Sequence, residues 1–131
     1  MQVAYPIDIE DALRVDLAAL VDGVRVFAPP IPPDLHANDV MITSLGGGRV
    51  SGASHEYDVS VDCYADDDAS AVRLANLVHG IVTSLPIRST STQYSDARAN
   101  TPYMNPDTRN RKLSRQTFRA TVICPGKRIE L

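Results

Sequence analysis

The 131-residue chain has no tryptophan, two phenylalanines, five tyrosines and two cysteines. So few rings leave a core of Val, Leu, Ile and Ala. They offer little for an aromatic-lined ligand pocket or a base-stacking platform. Cys63 and Cys124 make neither a metal motif nor a disulfide framework. Both fall at apolar-facing strand positions, where buried free thiols are expected, with a disulfide as the alternative. No apolar run approaches the ~20 residues of a membrane-spanning helix, so no membrane partner is expected. The first eight residues lack a basic and an apolar region, so they are not expected to be a secretory signal. His36, His55 and His79 show no zinc-ligand spacing. No nucleophile elbow surrounds any serine or cysteine. Gly46-Gly47-Gly48 is followed by no Gly-Lys-Ser/Thr and opens no helix, so it is not a phosphate loop. The expectation is a protein without catalytic residues, cofactor or metal.

What the chain does have is charge, and it is divided. Residues 1–68 carry thirteen acids and three bases, whereas residues 69–131 carry ten bases and three acids. The net charge of −3 hides this asymmetry. Either the halves neutralise each other inside one domain, or copies meet plus side to minus side. The second case is head-to-tail assembly, which can close into a ring. The cluster Arg109, Arg111, Lys112 and Arg115 is basic but short, and the acidity of the whole chain opposes strong phosphate attraction. A solvated or subunit-contacting face is the better reading of it.

Periodicity supplies the elements. Residues 8–21 read as an amphipathic helix capped by Asp8, with Ile9, Leu13 and Leu17 on its apolar stripe, Arg14 and Asp16 off it, and Gly23 as a left-handed stop. A short strand over residues 24–28 leads into four prolines within residues 29–33. These predict an extended polyproline connector, with a PxxP partner motif as the less favoured reading. A strand over residues 39–45 is followed by a mobile tip over residues 46–54. Residues 55–65 are the clearest strand. Tyr57, Val59, Val61 and Cys63 face one way, and Glu56, Asp58, Ser60, Asp62 and Tyr64 face a wet or partner-bound side. Asp66-Asp67-Asp68 opens a second helix to residue 85, with Ala71, Leu74, Ala75, Val78 and Val82 in its stripe. The three acids read as a cap and dipole complement, not as a divalent-metal site. An edge strand over 88–98, a long loop over 99–112 and a last strand over 113–124 complete the chain, with a short basic tail. The fold expected is α+β: one domain over residues 1–131, in the order α-β-β-β-α-β-β. Its mainly antiparallel sheet carries both helices on one face. The other face then presents Asp58 and Asp62 on one strand and Arg115 and Arg119 on another.

Several stretches together resemble the tail terminator (tail completion) proteins of long-tailed bacteriophages. They are Ile7-Asp8-Ile9-Glu10-Asp11-Ala12-Leu13, the proline segment to Leu35, and Leu45-Gly46-Gly47-Gly48-Arg49. Asp58-Val59-Ser60-Val61-Asp62-Cys63-Tyr64-Ala65-Asp66 running into an Ala-rich helix is the most family-like, and Asn105-Pro106-Asp107 and Arg119-Ala120-Thr121-Val122 complete the pattern. The resemblance spans nearly the whole chain. It implies a non-enzymatic virion protein, assembled in the host cytoplasm, that forms a homo-hexameric ring on the head-proximal end of the tail tube. The ring stops tube growth and presents a joining surface to the head. Its partners would be other copies of itself, the major tail tube protein and a neck or connector protein. DNA would pass the lumen without sequence-specific binding. Six copies of 14.2 kDa give about 85 kDa. The expected subunit interface sets Asp58 and Asp62 against Arg115 and Arg119, or against Arg109, Arg111 and Lys112. Solvent exposure or pairing within one subunit stays open for each. Gly46, Gly47, Gly48, Arg49, Tyr103 and Met104 are the expected partner-contact positions. Two alternatives remain: another neck or head–tail joining protein of similar fold, and, from a different class, a small bacterial ligand-binding or enzymatic α+β domain.

Overall fold

A computed structural model describes residues 1–131. The first helix, α1 (Ile9–Leu20), starts where its cap dictates: the Asp8 carboxylate accepts from the Asp11 backbone N–H at 3.2 Å. Ile9, Leu13 and Leu17 are buried. The helix gives way to extended backbone at Val21, and Gly23 follows with a φ of 71°. Asp16 departs from its predicted place outside the stripe, being only 2% exposed. It accepts from the Tyr94 hydroxyl at 2.7 Å and from the Ser91 N–H at 2.9 Å. Burial, and then the neighbouring carboxylate, push the Tyr94 pKa up. Asp16 thereby pins residues 91–94, which were expected to be strand and are a bent connection instead.

The main sheet runs β2 (Arg25–Phe27), β3 (Asp39–Arg49), β4 (Ser54–Ala65), β7 (Ser114–Pro125), β5 (Asp96–Ala99), and β6 (Tyr103–Met104) also pairs with β7. Its pairings are antiparallel except β2–β3, which is parallel. The proline segment makes that crossover possible. It bends at Pro29–Pro30, a cis peptide, and turns at Pro33–Asp34, so it is not one extended piece. Arg25 lies opposite Asp39 in the register and grips its fully buried carboxylate through Nε (3.0 Å) and Nη2. The same guanidinium reaches Asp34 at 3.0 Å and holds that carboxyl below its ordinary value.

The β3–β4 hairpin is longer than expected. Gly46 to Arg49 are strand residues paired with Asp58 to His55, and the turn is confined to residues 50–53. A register shift between Ser44 and Gly46 marks a bulge. Gly47 has a φ of 146°, and a Cβ there would sit 1.9 Å from the Glu56 carbonyl oxygen. Glycine is thus required at that position.

Helix α2 (Asp68–Thr83) is capped by Asp67, which accepts from the Ser70 N–H at 2.7 Å and is held below its ordinary pKa by that bond. Asp68 accepts from the Ser114 hydroxyl at 2.6 Å and ties the helix start to β7. A 3₁₀ turn over Leu85–Ile87 carries Pro86. Both helices bury their stripes against one face of the sheet, with Val59, Val61, Phe118 and Val122 beneath them. Cys63 and Cys124 are buried free thiols, and burial raises the Cys124 pKa to about 11. The basic tail has a structure of its own. β8 (Lys127–Glu130) pairs with β1 (Gln2–Tyr5) in a separate antiparallel ribbon.

Candidate assembly surface

The charge division of the sequence survives folding. β2, β3 and β4 come from the acidic half, β7, β6 and β5 from the basic half, and the sheet divides between β4 and β7. α1 packs on β2 and β3; α2 packs on β4, β7 and β5. One side exposes Asp8, Asp11, Asp22 and Asp34, with Arg14 and Arg49 among them. The other exposes Arg88, Arg98, Arg109, Arg111, Lys112 and Arg119, and also Asp66, Asp67 and Asp68, where α2 begins beside β7. Within the main body, only the Arg98–Glu56 ion pair, at 3.2 Å, crosses the divide. The others join residues of the same side, such as Asp11 with Arg14 and Asp107 with Arg115.

At the β4–β7 junction the register staggers the charges. Asp58 faces Thr121 and Asp62 faces Thr117, while Arg119 faces Ser60 and Arg115 faces Tyr64. Both carboxylates take a threonine hydroxyl instead of a guanidinium. Thr121 donates to Asp58 at 2.7 Å and Thr117 to Asp62 at 2.6 Å. No Asp–Arg ion pair forms between these four residues.

The two ends of this polar face differ. At one end Asp62, Tyr64 and Thr117 are buried, contrary to the wet face that alternation predicts. Residues 105–107 fold over them. The Asn105 amide donates to the Thr117 hydroxyl at 3.1 Å, and Arg115 Nε donates to the Asn105 carbonyl at 2.6 Å. The Arg115 side chain is 14% exposed and reaches buried Asp107 at 3.8 Å. Burial works against its charge, but Tyr64, Asp62 and Asp107 outweigh that and hold its pKa above the ordinary value. The Tyr64 hydroxyl makes no well-formed hydrogen bond, and burial pushes its pKa up while Arg115 beside it works the other way. Asp62 and Arg115 are thus committed inside the subunit. At the other end the face is open. Leu45, Asp58, Arg98 and Arg119 surround a depression of about 490 Å³. Arg119 is exposed and has no carboxylate within ion-pair distance there.

The expected contact positions lie apart from one another. Tyr103 and Met104 are exposed on β6. Arg109, Arg111 and Lys112 follow on the exposed loop, where Arg109 touches Asp107 at 3.5 Å. Gly46 to Arg49 are exposed on the β3 edge, and the Arg49 guanidinium donates to the Ala4 and Gly52 carbonyls at 3.1 and 3.0 Å. A cleft of about 350 Å³ separates this edge from the start of α1, with Ile7, Glu10, His55 and Tyr57 among its walls. Its rim is held by Glu10, which accepts from the Ser44 N–H at 2.7 Å, and by Tyr57, whose hydroxyl accepts from the Ile7 N–H at 2.9 Å. Sequence reasoning missed Leu45 and Arg98 as surface residues. Alternation marked Leu45 as a strand position, but only the sheet order places both at one depression.

Comparison with family models and with curated proteins gives no match. In fold the chain is similar to a solved chain of the virion of a native gene transfer agent particle. The TM-score is 0.51 at 16% identity, over 90% of this chain and 92% of that one. At this identity the likeness concerns the fold.

Proposed function

We propose that the chain is a virion structural protein whose copies associate head to tail into a closed ring. In this reading the ring sits at the head-proximal end of a phage-like tail tube, ends tube growth and presents a joining surface to the neck. The observation that carries the reading is the segregation of acid and base to opposite sides of one sheet. A heterologous contact uses this division directly, bringing the acidic side of one copy to the basic side of the next. The likeness in fold to a gene transfer agent virion chain supports the setting, as does the resemblance to tail terminators.

Because Asp62 and Arg115 are engaged internally, the interface falls to Asp58, Arg119 and the Arg109, Arg111 and Lys112 cluster. The Gly46–Arg49 edge and the Tyr103–Met104 strand are left for the tube and neck partners. Light scattering after size exclusion tests this. The expected species is near 85 kDa, six times 14.2 kDa, and it dissociates as salt screens the contacts. Arg119→Asp weakens it while the monomer stays folded. A strict monomer at high concentration, both alone and mixed with tube protein, would overturn the ring.

A further inference from the structure

The outer edge of β3 is covered for only part of its length. β2 pairs with Asp39, Val40 and Met41. Further along, the Glu10 carboxylate takes the Ser44 N–H at 2.7 Å. Beyond Ser44 no strand lies on that edge. In an antiparallel pair, alternate residues turn their N–H and C=O away from the partner strand. The Val50 N–H donates to the Ser54 carbonyl, so counting back sets Gly48 toward β4, and Gly47 and Arg49 outward. Gly46, Gly47 and Gly48 have no side chains to shield those groups, and they wall the cleft that faces the start of α1. An unpaired edge of this kind takes an added strand through main-chain hydrogen bonds.

The charges around the cleft are sorted along it. Asp8 and Glu10 line it near Ser44, and neither has an ion pair. Their neighbours are paired already, Asp11 with Arg14 at 2.6 Å and Glu56 with Arg98 at 3.2 Å. The cations lie at the other end. There Arg49 donates to the Ala4 and Gly52 carbonyls, and Lys127 follows Gly126, which packs against His55. The start of α1 forms the far wall. The cleft therefore suits one strand rather than the edge of a folded sheet, whose second strand would sit ~4.8 Å further out. We propose that Gly46–Arg49 is a strand-accepting groove for an extended arm of a partner protein. The arm pairs with the main chain of Gly47 and Arg49 and carries a lysine or arginine that meets Asp8 and Glu10. Pro6, Ile7 and Tyr57 receive its alternate side chains. This rests on the reading of the edge as a partner contact, and not on the ring.

The probe is a labelled, blocked peptide of alternating valine and threonine flanked by lysines. Its controls are a twin flanked by glutamates and a form N-methylated at alternate amides. Binding to the full chain is read by fluorescence anisotropy, and its place by hydrogen exchange. The lysine peptide protects the Gly47 and Arg49 amides, the glutamate twin binds roughly tenfold more weakly, and the N-methylated form does not bind. Arg49→Pro removes an outward N–H, which an edge strand tolerates, and abolishes binding; Arg49→Ala keeps the N–H and binds. Asp8→Asn with Glu10→Gln erases the preference for lysine. Urea unfolding shows that each variant is folded. Absence of binding, protection centred elsewhere, or equal binding by the N-methylated form or by Arg49→Pro overturns the groove. Protection of the same amides on concentrating the chain alone assigns the edge to a second copy and overturns the partner arm. Light scattering on the same samples reads the ring separately: a ring without peptide binding overturns the groove alone, and peptide binding by a strict monomer overturns the ring alone.

Discussion

Asp58 and Asp62 are equivalent in the sequence, four residues apart on the same side of one strand, yet they respond differently to mutation. Asp62 is 7% exposed and accepts from the Thr117 hydroxyl, which in turn accepts from the Asn105 amide. Asp62→Ala removes a hydrogen bond to a charged acceptor in a site closed to water. It also loosens the chain of bonds that holds residues 105–107 over Tyr64. A buried bond to a charged group contributes about 1.5–3 kcal/mol, which lowers the melting temperature by roughly 5–12 °C in a domain of this size. Asp58 makes the matching bond to Thr121 in a half-exposed place. Water replaces the lost acceptor there, so Asp58→Ala costs less than about 1 kcal/mol. Its effect falls on assembly instead. The assay is urea unfolding of each variant, with light scattering on the same samples. Equal destabilisation by the two variants, or a loss below about 0.5 kcal/mol for Asp62→Ala, would refute the assignment of Asp62 to the interior.

Two more predictions concern the frame of the surface. Gly47→Ala forces a side chain into a φ of 146° and against the Glu56 carbonyl, and costs about 2–5 kcal/mol by urea unfolding. Gly48→Ala next to it, with nothing within 4 Å of the added carbon, is neutral or stabilising by about 0.5–1 kcal/mol, and equal effects at the two sites would rule out this hairpin geometry. The second concerns acid. The Asp67 carboxyl is held below its ordinary 3.8 by the Ser70 N–H it caps, so its contribution is present above that value and is lost as pH falls through the lower folded one. Asp67→Asn keeps an acceptor but does not titrate. The gap in stability between wild type and Asp67→Asn therefore narrows from pH 7 to pH 3, as urea midpoints at each pH will read. A gap that stays constant with pH would exclude the cap as the titrating contact.

Periodicity located both helices because their apolar stripes repeat at short spacing, and both caps are local: Asp8 with Asp11, Asp67 with Ser70. The apolar face of β4 was legible for the same reason. The longer β3 and the tight turn at residues 50–53 were not. Three glycines suggest mobility by composition, yet here they extend a strand whose pairing is set by β4. Asp16 was placed on the solvent side because its neighbours on the helix said nothing of Tyr94, 78 residues away. Of the candidate interface residues, Asp58 and Arg119 border one open depression, and Asp62 and Arg115 were drawn inward by residues 105–107.

By itself, the order of residues determined the α+β class, the two helices, the apolar faces that make the core, and a chain divided into acidic and basic halves. Each of these depends on neighbours a few positions apart, or on composition. Only the tertiary structure decided that β4 and β7 meet at the middle of the sheet, so that the halves lie side by side and do not interleave. It alone decided which carboxylates are enclosed, and that β1 and β8, at opposite ends of the sequence, pair in a ribbon outside the core. Those outcomes rest on contacts between distant segments, and local periodicity has no term for them.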